Sequence, residues 1–220
     1  MRRRLARSLG TVASCVLTVG LGTLGATPQI PDVIEIGGQS YSLIVNPLEG
    51  YFAQHPKRRP TAGAAISGNW RGYVAHFAVA EGALIVTDVR VLTDARDGRF
   101  RSVLADVFGA GSRPVATWFT GNLVVGAGEI VRYVHMGYAS EYERYIVIEV
   151  KAGAAAQPRS LSSSEFATFR RTQFEAYKRT DDYRKRLEAA SRDDPRLDVA
   201  EFERFMFDFA SADYVTRVSK

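Results

Sequence analysis

From Ile30 to Lys151 the apolar residues of this chain recur in short, nearly alternating runs broken by glycine, whereas beyond residue 159 they recur three and four positions apart. A two-residue period buries one face of a strand, and a 3.6-residue period buries one stripe of a helix. Strands first and helices last in one chain predict an α+β fold. The expected architecture is a mainly antiparallel sheet of about six to eight strands, with one helix inserted between strands and a C-terminal helical pair packed on the sheet.

The individual signals are local. "DVIEIGGQSYSLIV" predicts strands over 32–36 and 40–45 around Gly37-Gly38, because glycine reaches positive φ without steric cost. "WRGYVAHFAVAEGALIVTDVRVL" predicts a second hairpin, about 70–79 and 83–92, turning at Glu81-Gly82. Between the two hairpins, "NPLEGYFAQHPKRRPTAG" carries too much proline and glycine for a regular element and is expected to be a long loop. Phe100, Val103, Leu104, Val107 and Phe108 have helical spacing, with Asp97 as cap and Gly109 as stop. Three more strands are expected in "VATWFTGNLVV", "EIVRYVHMG" and "YERYIVIEVK", separated by Gly126, Gly128 and the "GYASE" turn. Ser162 and Glu165 have capping-box spacing and open a helix over about 163–191, striped by Phe166, Phe169, Phe174 and Tyr177. Asp194-Pro195 ends it, and a second helix begins at Asp198.

Residues 1–26 have a different character. Arg2, Arg3, Arg4 and Arg7 precede an uncharged stretch over 9–26 that closes on Leu24-Gly25-Ala26, the layout of a secretory signal. The domain reading is therefore a signal over 1–26, a β-rich core over 27–158, and a helical segment over 159–220 of the same domain. That layout predicts a periplasmic or secreted protein. The alternative is an inner-membrane protein anchored through 9–26, and "VASC" offers a lipoprotein-like box at Cys15. Removing 1–26 takes away four of the 29 basic residues and none of the 24 acids, so the rest of the chain is nearly neutral. A nucleic-acid partner calls for a basic stripe in the folded part, and the one compact basic cluster, "HPKRRP" at 55–60, is a proline-bounded loop. Cys15 is the only cysteine, so disulfides and thiol chemistry are excluded once the signal is gone.

Candidate functional residues concentrate in "YVHMGYASEYERY", 133–145. Histidine as a residue type changes charge near neutral pH, and His135 precedes a glycine-containing turn. One assignment makes it a general base, with Glu143 orienting it and Ser140 or a water attacking. The competing assignment makes it a structural strand residue bonded to backbone or tyrosine. Trp70, Arg71, Tyr73, Trp118, Tyr138 and Tyr142 are the candidates for a binding surface, since aromatic and arginine side chains supply large contact areas. His55, His76 and His135 lie in separate segments without ligand spacing, so neither a metal nor another cofactor is expected. No G-x-S-x-G is present, and "GAGSRP" lacks the lysine of a phosphate loop.

Three ordered blocks, Trp70 to Tyr73, Trp118 to Gly121, and His135 to Glu143, resemble a family of uncharacterised bacterial proteins. That family shares a W-R-G-Y strand, a W-F-[ST]-G segment and an H-M-G-Y-x-S-x-Y-E run. The resemblance covers about 30–180, with Ala139 where the family has glycine and no proline in "VVGAGE". It implies an α+β fold and carries no reaction or cofactor.

Together these features favour a non-enzymatic envelope protein that binds an unknown protein or small ligand, without nucleic acid, and touches membrane only if residues 9–26 are retained. An envelope hydrolase built on His135 and an immunity-type, toxin-neutralising protein are the alternatives. Cell fractionation with N-terminal sequencing tests export: the expected product lies in the envelope or medium and begins at Thr27. A cytosolic product still starting at Met1 rejects the signal.

Overall fold

The computed structural model describes residues 29–61, 67–134 and 138–217. Residues 1–26, read above as a signal and including Cys15, and the candidate general base His135 therefore lie outside the described residues. The architecture is the expected α+β arrangement, a mostly antiparallel sheet carrying helices.

Among the described residues the sheet has nine strands: β1 (Asp32–Ile36), β2 (Gln39–Leu43), β3 (Val74–Ala80), β4 (Ala83–Asp94), β5 (Arg99–Ser102), β6 (Gly121–Arg132), β7 (Glu141–Lys151), β8 (Ala154–Ala155) and β9 (Arg159–Ser162). Hairpins β1–β2 and β3–β4 form as expected. Glu81 and Gly82, at φ 52° and 72°, make the two-residue turn whose twist matches that of the strands. Pairing runs β3-β1-β2-β6-β7-β8-β4, and β4 also pairs with β3, so the path returns to its start. Of these pairings only β1 with β3 is parallel, aligning Ile34 with Phe77. β5 extends the β4 edge and β9 pairs with β7. Closure leaves few free edges and lets Ile34, Leu43, Phe77, Leu84, Val86, Leu123 and Val125 share one buried core.

Six helices complete the described chain: α1 (Glu49–Gln54), α2 (Leu104–Phe108), α3 (Ser163–Tyr177), α4 (Asp181–Asp193), α5 (Val199–Phe209) and α6 (Ala212–Val215). The capping box forms at α3, where the Ser162 Oγ accepts the Glu165 N–H and the Glu165 carboxylate accepts the Ser162 N–H. Phe166 of α3 stacks on Tyr145 of β7 at 3.6 Å between ring centres. The Arg170 guanidinium donates to the Phe207 carbonyl at 2.6 Å and lies over the Phe207 ring, binding α3 to α5. On the same side of the sheet, the Asn122 amide donates to the Val215 and Arg217 carbonyls at 3.2 and 2.7 Å. The first seven residues of β6 are therefore covered on both faces, by the core on one and the helical layer on the other, while residues 128–132 run on into solvent.

Several elements differ from the sequence reading. The helix expected over 97–109 is a strand and a five-residue helix, because 99–102 pairs with the β4 edge and gains its backbone hydrogen bonds there. Asp97 accepts the Arg99 N–H within a turn and caps no helix. Gly126 and Gly128 do not separate strands. They lie inside β6, where the Tyr142 ring covers Gly126 so closely that a Cβ would fall 2.4 Å from it, and Gly128 sits at a bulge with φ 79°. The long helix breaks at Lys178–Thr180. The Thr180 Oγ1 donates to the Tyr177 carbonyl and accepts the Tyr183 N–H, closing one helix and opening the next. The expected loop contains α1, because Leu48 and Phe52, four apart, are both buried.

Gly121 is where the sheet and the helical layer come closest, since a Cβ there would stand 2.5 Å from the Thr216 carbonyl. Gly121→Ala is expected to lower unfolding free energy in urea by about 1–3 kcal/mol. Gly50→Ala, whose Cβ would meet nothing nearer than Trp118 at 3.8 Å, is expected to be neutral or to stabilise α1 by up to about 1 kcal/mol.

Candidate functional site

A cleft of about 710 Å³ separates one end of the sheet from the turn joining α5 to α6. Its sheet-side wall comes from three distant segments. Trp70 lies in a turn closed by the Gly72 N–H donating to the Asn69 carbonyl at 3.0 Å. Trp118 precedes β6, and Tyr138 precedes β7. The facing wall is Phe209, Ser211, Asp213 and Thr216, with Arg186 from α4.

The turn at 69–72 divides its two central residues. Trp70 is 68% exposed while Arg71 is 4% exposed. Arg71 points inward because Asp32 waits there: Nη1 donates to Asp32 Oδ1 at 2.7 Å and Nη2 to the Ile30 carbonyl at 2.7 Å. The same Asp32 oxygen accepts the Ala75 N–H at 2.8 Å. Arg71 therefore does not belong to an exposed surface, contrary to the sequence expectation, and neither does Tyr73, which is fully buried. The Tyr73 hydroxyl donates to Glu49 Oε1 at 2.7 Å, and Glu49 is also paired with Arg59. Arg71 and Tyr73 support the site from beneath.

The remaining wall residues are held by specific contacts. The Trp118 Nε1–H donates to the Pro47 carbonyl at 3.2 Å, and its ring stacks on Phe108 and leans on Tyr51. The Tyr138 hydroxyl donates to Asn46 Oδ1 at 2.9 Å. Burial pushes that hydroxyl up to about 12, against the pull of Arg71, so it remains a neutral donor. Across the cleft, Asp213 and Arg186 form an ion pair at 3.0 Å. Burial raises the Asp213 carboxyl above its ordinary value, against the pull of Arg186 and Arg217.

Of the expected catalytic group, Ser140 and Glu143 are described, and neither lines this cleft. His135 lies outside the described residues. The Ser140 Oγ accepts the Val134 N–H at 3.1 Å and so ties the two ends of its own loop. The Glu143 carboxylate accepts the Glu129 N–H at the β6 bulge. Tyr142 packs edge-on against Tyr145 and over Gly126, and with Ser140 and Tyr138 it borders a separate cavity of about 160 Å³. Among the described residues no cluster of three His, Cys, Asp or Glu side chains forms a metal site, and no helix is long and apolar enough to cross a membrane.

Sequence reasoning singled out Trp70, Trp118 and Tyr138 but missed Asn46, Glu49, Arg186 and Asp213. Asn46 and Glu49 share one turn, but Arg186 and Asp213 lie on two distant helices, and no spacing in the chain links the three segments. Comparison with known proteins adds no identity: no family matches the chain, and no curated sequence or solved structure matches it. The function must be argued from the geometry.

Burial pushes the Asp32 carboxyl from 3.8 up to about 6, against the pull of Arg71 and of the Ala75 N–H. Burial also disfavours the Arg71 cation, but the adjacent carboxylate outweighs this and holds the guanidinium above its ordinary value. The folded chain therefore holds the Asp32 proton more tightly than the unfolded chain does. Its contribution to stability is complete below about pH 4 and is lost as the pH rises through about 6. Urea unfolding of wild type and Asp32→Asn across this range should show the wild-type stability falling relative to the variant by roughly 3 kcal/mol by about pH 7. A difference that grows with pH would show that the ion pair, not burial, governs this carboxyl.

Proposed function

We propose that this protein is a non-enzymatic binding module of the cell envelope, and that a small ligand occupies the cleft between Trp70, Trp118 and Tyr138 on one side and the α5–α6 turn on the other. The observation that carries this reading is the convergence of both tryptophans of the chain on one cleft, with Trp70 left 68% exposed on a turn whose neighbouring residue is locked into the interior. Holding a large apolar ring in solvent costs free energy, and a bound ligand that covers the ring recovers it. The cleft's volume falls within the span of about 300–1,000 Å³ common to small-ligand sites. Binding rather than hydrolysis is supported by Ser140 and Glu143, whose polar atoms are engaged by main-chain groups of their own hairpin. Placement in the envelope rests on the arginine-led, uncharged stretch at the start of the chain.

With only two tryptophans, the protein has two indole N–H resonances, and both report on the cleft. In a screen of a small-molecule fragment library, bound compounds are expected to shift both resonances. Trp70→Ala, a surface change that should leave the unfolding free energy within about 0.5 kcal/mol of wild type, is expected to weaken those compounds at least tenfold. Hits that leave both indoles unmoved and ignore Trp70→Ala would place any binding elsewhere and defeat the proposal.

A further inference from the structure

We infer that the ligand of this cleft is an uncharged saccharide, with one sugar ring stacked on Trp70. This deepens the binding function proposed above and rests on it.

The first support is charge. The charged side chains that line the cleft are Glu49, Arg186 and Asp213. Each is already matched: Glu49 by Arg59 and the Tyr73 hydroxyl, Asp213 and Arg186 by one another. An anionic or cationic ligand would have to break one of these pairs to find its counter-charge, whereas a neutral ligand leaves them in place. Asp213 and Glu49 still present carboxylate oxygens able to accept from a hydroxyl.

The second support is the pattern of neutral groups. Asn46, Thr120, Ser211 and Thr216 line the same space. The Thr120 hydroxyl accepts the Ala152 N–H and keeps its hydrogen to donate, whereas the Thr216 hydroxyl donates to the Ala212 carbonyl and can still accept, so the set offers both donors and acceptors. Asn46 Oδ1 is taken by Tyr138, which fixes the amide so that its NH₂ is the end left for a ligand. A vicinal diol, which also both donates and accepts, is the complement of such a lining. A purely apolar ligand would leave these groups desolvated and unpaired.

The third support is the aromatic geometry. One face of a pyranose ring carries several C–H bonds pointing the same way, weakly positive at hydrogen, and an indole face is electron-rich. Stacking the two buries apolar surface while the equatorial hydroxyls reach outward to polar partners. Trp70 lines the cleft with much of its surface uncovered. Trp118 is held rigid by Phe108, Tyr51 and the Pro47 carbonyl, so it loses little freedom when a ligand arrives.

The test is titration of the purified protein, followed by tryptophan emission and by calorimetry. The neutral probes are cellotetraose, maltotetraose and N-acetylglucosamine tetramer, and the charged controls are benzyltrimethylammonium and phenyl phosphate. At least one neutral tetrasaccharide is expected to bind, to be weakened at least tenfold by Trp70→Ala, and to be largely restored by Trp70→Phe. Asn46→Ala is expected to weaken it about fivefold or more while leaving the unfolding curve two-state. If a charged control binds in a Trp70-dependent way and no saccharide does, the cleft is a ligand site but the saccharide assignment is wrong. If none of the five probes binds, the saccharide assignment likewise falls, and the fragment screen alone then decides whether the cleft binds anything.

Discussion

The buried pair of Asp32 and Arg71 determines how this end of the molecule is built. A carboxylate on β1 and a guanidinium just ahead of β3 are both withdrawn from water, with side-chain exposures of 0% and 1%. Such a pair contributes little net stability, because desolvating the charges offsets most of their attraction, yet removing either partner strands the other in the interior. Its role here is geometric. One Asp32 oxygen takes both Arg71 and the Ala75 N–H, and Arg71 reaches back to the Ile30 carbonyl, so β1 is fixed beside β3 in its parallel alignment. With Arg71 turned inward, the tight turn at 69–72 leaves Trp70 facing outward. An exposed tryptophan at the cleft is thus the other side of a buried arginine.

The helical layer supplies the other half of the cleft and covers the outer face of β6 and β7. Close approach is possible because Gly121 has no side chain and Asn122 satisfies the carbonyls at the end of α6. Within the layer, Phe174, Tyr177, Phe207 and Tyr214 form a connected set of ring contacts, and Arg170 crosses it to reach the Phe207 carbonyl. A rigid layer matters for recognition. Ser211, Asp213 and Thr216 can hold fixed positions opposite Trp118 only if the short α5–α6 turn is itself held, and this aromatic packing holds it.

Much of the fold was legible because the signals were local. Alternation in 32–45 and 74–92, the paired glycine turns and the Ser162–Glu165 box each act over a few residues, and each formed. The errors arose where a distant partner overrode the local pattern. Phe100 and Val103 have helical spacing, but the β4 edge offered residues 99–102 a ladder of hydrogen bonds. Gly126 and Gly128 looked like breaks, but Tyr142 and Glu143 on the neighbouring strand fill the space above them. Thr180 was a readable cap, with Asp181 and Asp182 after it, and was concealed by the continuous apolar stripe on either side. For the site, aromatic residues stood out by type, but their burial did not. Trp70, Arg71 and Tyr73 are nearly adjacent, and only the first is exposed.

By itself the amino-acid sequence determined that strands come first and helices last, where the two hairpins turn, where α3 and α5 begin, and which aromatic residues could make a binding surface, since each depends on neighbours within a few positions. Tertiary structure alone decided that the sheet closes, that Arg71 is interior, and that Asn46, Trp118 and Asp213 share a cleft. Those outcomes depend on charge pairing, desolvation and close packing between segments far apart in the chain, and such energies have no period along the sequence.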